Sequence, residues 1–210
     1  MLLCVETARI AELLAPFLGS HSLSEHQLIS ISTYIDLLLK WNARMNLTAV
    51  RNPEQIVERH FGEALFAARH LLTQESAISV ADVGSGAGFP GIPLKIYASN
   101  LKLTLIEAQG KKATFLREVA RTLHLTEVNV FANRADQWGE KAELVTLRAV
   151  EKFEDMLPVA STLVSSGGRL ALLVGERQLG RAEGILPGNW LPTVSVPESR
   201  ERVLKVLQKD

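Results

Sequence analysis

Residues 79–96 read Ser79-Val80-Ala81-Asp82-Val83-Gly84-Ser85-Gly86-Ala87-Gly88-Phe89-Pro90-Gly91-Ile92-Pro93-Leu94-Lys95-Ile96. A short apolar strand runs into Asp82. Gly84, Gly86 and Gly88 follow, and then a segment of helical character. Glycine lets the chain turn tightly and brings backbone close to a ligand with no Cβ in the way. The first turn of the following helix offers free backbone N–H groups. Strand, glycine loop and helix in this order mark the C-terminal edge at which doubly wound sheets bind ligands.

Three readings of the loop compete. Gly86, Gly88 and Gly91 satisfy the GxGxxG spacing of a dinucleotide loop. That register puts Phe89 and Pro90 inside the turn and starts the motif late relative to the strand. Asp82, Gly84, Gly86 and Gly88 satisfy acidic-x-Gly-x-Gly-x-Gly, the pattern of S-adenosylmethionine (SAM) methyltransferases, with Ser85 and Phe89 in the same loop. The third reading is a plain tight strand–helix turn. The SAM reading fits best. Glu107 ends the next strand roughly 20 residues beyond the glycines, where an acid accepts hydrogen bonds from both ribose hydroxyls. NAD enzymes use the same device, so Glu107 argues for an adenosine ribose and not for one cofactor. Asp136, after the third strand, stands where an acid can reach an adenine amino group, or is a solvated loop acid.

Outward from this loop the pattern is strand–helix–strand. Strands are predicted at 79–83, 102–107, 127–132, 143–147, 169–174, 193–196 and 203–207. Helices are predicted at 91–98, 111–124 and 152–164, with a short one after Glu176. This alternation implies parallel βαβ units. Only 197–202 separate the last two strands, too few for a helical crossover, so those strands form an antiparallel edge hairpin. Before residue 77 the periodicity is helical. Leu3, Ile10, Leu13, Leu14 and Phe17 mark a first helix that Pro16 and Gly19 close. Leu28, Ile31, Ile35, Leu38 and Leu39 mark a second, with Ser22–Glu25 and Ser24–Gln27 both at capping-box spacing. A third opens at Asn52 and Pro53. The expected architecture is an α/β, Rossmann-like, doubly wound and mostly parallel seven-stranded sheet with a helical cap. Residues 1–76 form the cap and 77–210 the SAM-binding core.

Composition narrows the classes. The chain has 210 residues, 47% hydrophobic and 22% charged, which excludes a disordered or collagen-like protein. Lys+Arg and Asp+Glu are 23 each, so any attraction to polyanions must be local. Cys4 is the only cysteine, which fits a cytoplasmic location and leaves no intramolecular disulfide. The N-terminal stretch is amphipathic, and no membrane span or signal peptide is expected. The 5 histidines are scattered with no HExxH or CxxC, so no metal site is expected.

Together the motifs resemble the RsmG family, also called glucose-inhibited division protein B. The resemblance covers roughly 36–175. It rests on Trp41-Asn42 with Asn46-Leu47-Thr48-Ala49-Val50-Arg51, on Arg59-His60-Phe61, and on the 82–93 run. Gly110-Lys111-Lys112 with Phe115-Leu116, and Arg148-Ala149, complete it. It implies a bacterial methyltransferase acting on guanine N7 in the decoding-region loop of 16S ribosomal RNA, in the small ribosomal subunit. SAM contacts are implied at Gly84, Phe89, Ala135-Asp136 and Arg148, with Glu107 in the ribose role. The chain departs from the family at Val174, where lysine is common, at Ala108, and at Gly62-Glu63-Ala64, where the family has x-Asp-Ser.

Guanine N7 carries a free lone pair, so no base is needed, and no catalytic constellation is visible. Catalysis is expected to rest on in-line positioning, with Arg59, His60 and Arg148 as positioning candidates. Residues 1–36 carry Arg9 against Glu6, Glu12, Glu25 and Asp36, whereas 40–59 and 110–121 are basic. Arg51, Arg59, Lys111, Lys112 and Arg117 are therefore expected to line a positive RNA-binding rim. Each basic run also reads as a solvated helix face. A small-molecule SAM methyltransferase is the alternative, and it predicts an apolar lid in place of that rim. A non-catalytic binding module is a third reading. A monomer without an obligate protein partner is expected.

Overall fold

The computed structural model describes residues 5–150 and 152–210. Leu3 and Cys4, used in the sequence reading, lie outside the described residues. Helix α1 (Thr7–Leu18) ends at Gly19, whose φ of 61° reverses the chain. Pro16 does not close it, because the proline sits within the last turn of the helix. Helix α2 (Glu25–Asn42) opens on a reciprocal capping box. Ser24 Oγ accepts from Gln27 N at 3.3 Å, and Gln27 Oε1 accepts from Ser24 N at 2.8 Å. Ser24, not Ser22, is thus the cap. Helix α3 (Pro53–Ile56) is capped by Asn52 and passes directly into a π-helical turn (Val57–Gly62) and then α4 (Glu63–Leu71).

The strand–helix alternation follows the expected course. It runs β1 (Ser79–Val83), α5 (Gly91–Tyr97), β2 (Lys102–Ile106), α6 (Gly110–Thr122) and β3 (Val128–Phe131). Then come β4 (Ala142–Arg148), α7 (Phe153–Thr162), β5 (Val164–Gly175) and α8 (Leu179–Ile185). The chain ends in β6 (Asn189–Trp190), β7 (Val194–Ser195) and β8 (Arg202–Gln208). The sheet order is β3-β2-β1-β4-β5-β8-β6, with β7 also on β8. The pairs from β3 to β5 are parallel, and β8 is antiparallel to its neighbours. All seven expected strands are present. The edge carries one piece more, β6, which makes the sheet 8-stranded.

Burial is nearly continuous along β1, β4, β8 and the second half of β5 because both faces of the sheet are covered. Val80, Leu103, Leu105 and Leu144 face a core shared with α1, α2, α4, α5 and α6. Ala81, Val83, Ile106, Val145 and Leu147 face α7 and α8. The order reverses between β1 and β4, the switch point where an open α/β sheet leaves a crevice. Register pairs Val83 with Ile106 and with Leu147, so the loops after β1, β2 and β4 emerge at one edge.

Candidate functional site

At that edge lies a cavity of about 650 Å³, within the size range of small-molecule and cofactor sites. Its floor is the loop after β1. The amides of Gly84 and Ser85 donate to the Ile106 carbonyl at 2.9 and 3.1 Å, which stitches the loop to the end of β2. Glu107 then clamps it from the same side. Glu107 Oε2 accepts from Gly86 N at 2.9 Å and Oε1 from Gln109 N at 2.8 Å. Each carboxylate oxygen keeps a lone pair for a ligand hydroxyl. A Cβ built on Gly86 would meet nothing closer than the Gly84 carbonyl at 3.8 Å, so this glycine faces open cavity. Asn133, Arg134, Ala135 and Asp136 close the side after β3. Asp136 is paired with Arg134 at 2.8 Å.

The opposite wall comes from the N-terminal helices. Asn42, buried at the end of α2, holds the 42–48 loop: its Oδ1 accepts from Leu47 N and Thr48 N at 2.8 and 3.0 Å, and its Nδ2 donates to Thr48 O at 2.9 Å. Leu47 and Thr48 thereby line the cavity. The π-helical turn delivers His60 beside them, with Nε2 at 2.8 Å from Thr48 Oγ1. Such turns recur at functional sites because one extra residue re-aims the side chains. Burial, together with the positive charge of Arg148, holds the His60 pKa down to about 3, so the ring is neutral.

Arg148, at the end of β4, reaches back to this turn. It donates to Glu63 Oε2 through Nε (2.9 Å) and Nη2 (2.6 Å), and Nη2 also meets the Arg59 carbonyl and His60 Nδ1, each at 3.1 Å. Glu63 Oε1 accepts from Arg202 at 2.7 Å. One buried carboxylate thus joins α4, β4 and β8. Arg148 also lies 5.9 Å over the Phe89 ring. Phe89 stacks on Tyr34 at 5.4 Å and 4°, with Phe61 edge-on to both. The Tyr34 hydroxyl donates to the Ala87 carbonyl, which ties α2 to the glycine loop.

Of the residues expected to contact cofactor, Gly84, Ser85, Gly86, Phe89, Glu107, Ala135, Asp136 and Arg148 line the cavity. Asp82 and Gly88 do not. The Asp82 carboxylate lies beneath the loop, accepting from Thr146 Oγ1 at 2.7 Å and Gly91 N at 3.2 Å. Burial pushes its pKa up to about 6 against those bonds. Gly88 packs against Tyr34 and Ile92. Of the expected basic rim, Lys112 lines the cavity, while Arg51, Arg59, Lys111 and Arg117 are exposed outside its lining. Arg148 faces Glu63 and is no free cation. Arg134 and Lys152 line the cavity without having been anticipated. Thr48 and Asn42 belonged to a quoted motif, but Tyr34 was not singled out and Glu63 appeared only as a departure. Among the described residues there is no cluster of three or more His, Cys, Asp or Glu able to hold a metal, and no helix is long and apolar enough to cross a membrane.

Comparison with known proteins gives consistent results. The family described as rRNA small subunit methyltransferase G matches residues 27–184. A protein named ribosomal RNA small subunit methyltransferase G from Chloroflexus aggregans is 44% identical over 70% of this chain and 64% of its own length. This chain therefore spans just under two thirds of that relative. The protein of the same name from Staphylococcus saprophyticus is 34% identical over 89% of this chain and 84% of its own. Among solved structures, ribosomal protein L11 methylase from Lactobacillus delbrueckii superposes with a TM-score of 0.61 at 16% identity, covering 73% of this chain and 80% of that one. TYW2 from Pyrococcus horikoshii, in complex with MeSAdo, superposes with a TM-score of 0.59 at 16% identity, covering 72% and 63%. At these identities the superpositions speak for the fold.

Proposed function

The chain belongs to the rRNA small subunit methyltransferase G family, and we propose that it methylates N7 of a guanine in 16S rRNA, using S-adenosylmethionine. The observation that carries this reading is the cavity floor, where Glu107 grips the Gly86 amide at 2.9 Å and keeps free lone pairs for ribose hydroxyls. Bound S-adenosylmethionine supplies an electrophilic methyl group on a sulfonium. Gly84, Gly86, Phe89 and Ala135 would hold it, with Glu107 on the ribose and Asp136 near the adenine. Asp82 would act from beneath, by fixing the first turn of α5.

The proposed chemistry suits a site without a general base. N7 attacks through its own lone pair, and the product base is a cation. His60 is neutral, and Arg148 and Arg134 face Glu63 and Asp136. These three groups therefore add little uncompensated positive charge beside a sulfonium or a methylated base. What the protein contributes is alignment and water exclusion. Residues 1–76 serve as the cap that brings the base to the SAM-binding core, 77–210. Among the described residues that line the cavity, Lys112 and Lys152 are the cations outside these ion pairs, and they suit RNA phosphates.

The deciding experiment is transfer of labelled methyl from S-adenosylmethionine to unmethylated small ribosomal subunits, followed by nucleoside analysis. N7-methylguanosine at one site is the expected outcome. Bound cofactor without transfer to subunits or naked RNA would overturn the assignment and favour a small-molecule acceptor or a binding role.

A further inference from the structure

Thr48 stands in the cavity wall with a hydrogen-bonding direction that its neighbours impose. His60 Nδ1 lies 3.1 Å from Nη2 of Arg148. A guanidinium only donates, so Nδ1 must accept. The neutral ring then carries its proton on Nε2 and donates it to Thr48 Oγ1 at 2.8 Å. The backbone amide of Val50 donates to the same oxygen at 3.1 Å. A hydroxyl oxygen has two lone pairs, and both are now occupied. Its hydrogen has no acceptor among the described residues, and the residue lines the cavity. A hydroxyl is ordinarily ambivalent. Here the chain Glu63–Arg148–His60 makes it a donor alone.

We propose that the Thr48 hydroxyl donates to O6 of the guanine whose N7 is methylated, and so selects guanine over adenine. This rests on the guanine-N7 reading of the site. On the edge that carries N7, guanine presents two acceptors, N7 and O6, whereas adenine presents N7 beside an N6 amino donor. N7 must stay free for the methyl group, which leaves O6 for the protein. An adenine amino group would meet an oxygen with no lone pair to offer. Thr48 thus positions and discriminates. It takes no proton, and the bond weakens as the ring becomes cationic, which helps the product leave.

The test compares methyl transfer to small subunits assembled on rRNA with either guanine or 2-aminopurine at the target. 2-Aminopurine keeps N7 and the 2-amino group but lacks O6. Wild-type protein is expected to prefer guanine by about tenfold to a hundredfold in kcat/KM. Thr48→Val should lose about that factor on guanine and little on 2-aminopurine, with S-adenosylmethionine Kd unchanged. Thr48→Ser should restore the preference. An equal factor on both bases, or a raised S-adenosylmethionine Kd, overturns the proposal. So does a wild-type protein indifferent to O6, a result that does not depend on how the variants fold. Failure of the wild type to methylate N7 even on guanine RNA overturns instead the reading beneath it.

Discussion

Gly86 and Gly88 both have positive φ, 55° and 88°, yet a side chain would meet different surroundings at each. At Gly86 it would enter open cavity; at Gly88 it would strike the Tyr34 hydroxyl and Ile92. Gly86→Asp should therefore fold with a loss of about 1 kcal/mol from backbone strain and lose S-adenosylmethionine binding, because a carboxylate occupies ligand space opposite Glu107. Gly88→Ala should lose about 2–3 kcal/mol through overpacking. Urea unfolding and calorimetric titration separate the two, and normal affinity in folded Gly86→Asp would refute the loop assignment. His60 gives a pH signature. Its folded pKa is about 3, below the 6.5 of the unfolded chain, so the unfolded state binds the proton first. Stability held above pH 6.5 is lost as pH falls toward 3, by up to about 1.4 kcal/mol per unit. Asp82 runs the other way between about 6 and 3.8, since its native pKa is raised. His60→Gln should flatten the acid-side fall of the urea midpoint, and Asp82→Asn should steepen it.

The elements around the cavity are joined through few side chains, and Glu63 is the tightest junction. It is 4% exposed and holds Arg148 of β4 and Arg202 of β8 against α4. Glu63→Gln leaves two arginines facing a neutral amide, and removing one partner of a buried pair costs about 3–5 kcal/mol. Urea denaturation should show a loss of that size, with weaker cofactor binding as Arg148 and the π-helical turn come free; a loss under 1 kcal/mol would mean solvent carries these charges instead. This junction also marks where sequence reasoning stopped. The Asp82–Gly91 run was legible because strand, loop and helix are contiguous and each residue's task is local. Arg148 was legible as a strand-end residue at the ligand edge. Glu63 was not, because its partners lie 85 and 139 positions away and an acid within a helix reads as solvated. Tyr34 carried no signal of its own beside the apolar stripe of α2, and only the fold brings its hydroxyl to Ala87, 53 positions on. The π-helical turn left no periodicity signal, since one added residue barely disturbs a helical pattern, yet it sends His60 inward and leaves Arg59 at the surface. Asp82 shows the complementary limit: an acid before a glycine loop reads as a ligand contact, and only the fold reveals that its carboxylate accepts from Thr146 and Gly91 beneath the loop.

At the scale of the whole molecule, a net charge of zero means that the surface exerts no general pull on a polyanion. Attraction to RNA must come from where cations sit relative to the cavity. Sequence adjacency grouped Lys111 with Lys112, but the two start helix α6 at different angles, and only Lys112 turns into the cavity lining while Lys111 is exposed outside it. A phosphate beside a base held at the cofactor would then be neutralised by Lys112. Each phosphate contact on a single strand contributes about 0.7 to the slope of log affinity against log salt. Lys112→Ala should raise the KM for RNA several-fold and lower that slope by about 0.7–1, with S-adenosylmethionine Kd unchanged. Lys111→Ala should change neither beyond error. Methyl transfer by both variants across a series of potassium concentrations makes the comparison. Equal effects from the two lysines would mean that RNA feels the diffuse potential of α6 and no specific rim cation, whereas loss of cofactor affinity in Lys112→Ala would move that lysine to the donor's side of the cavity.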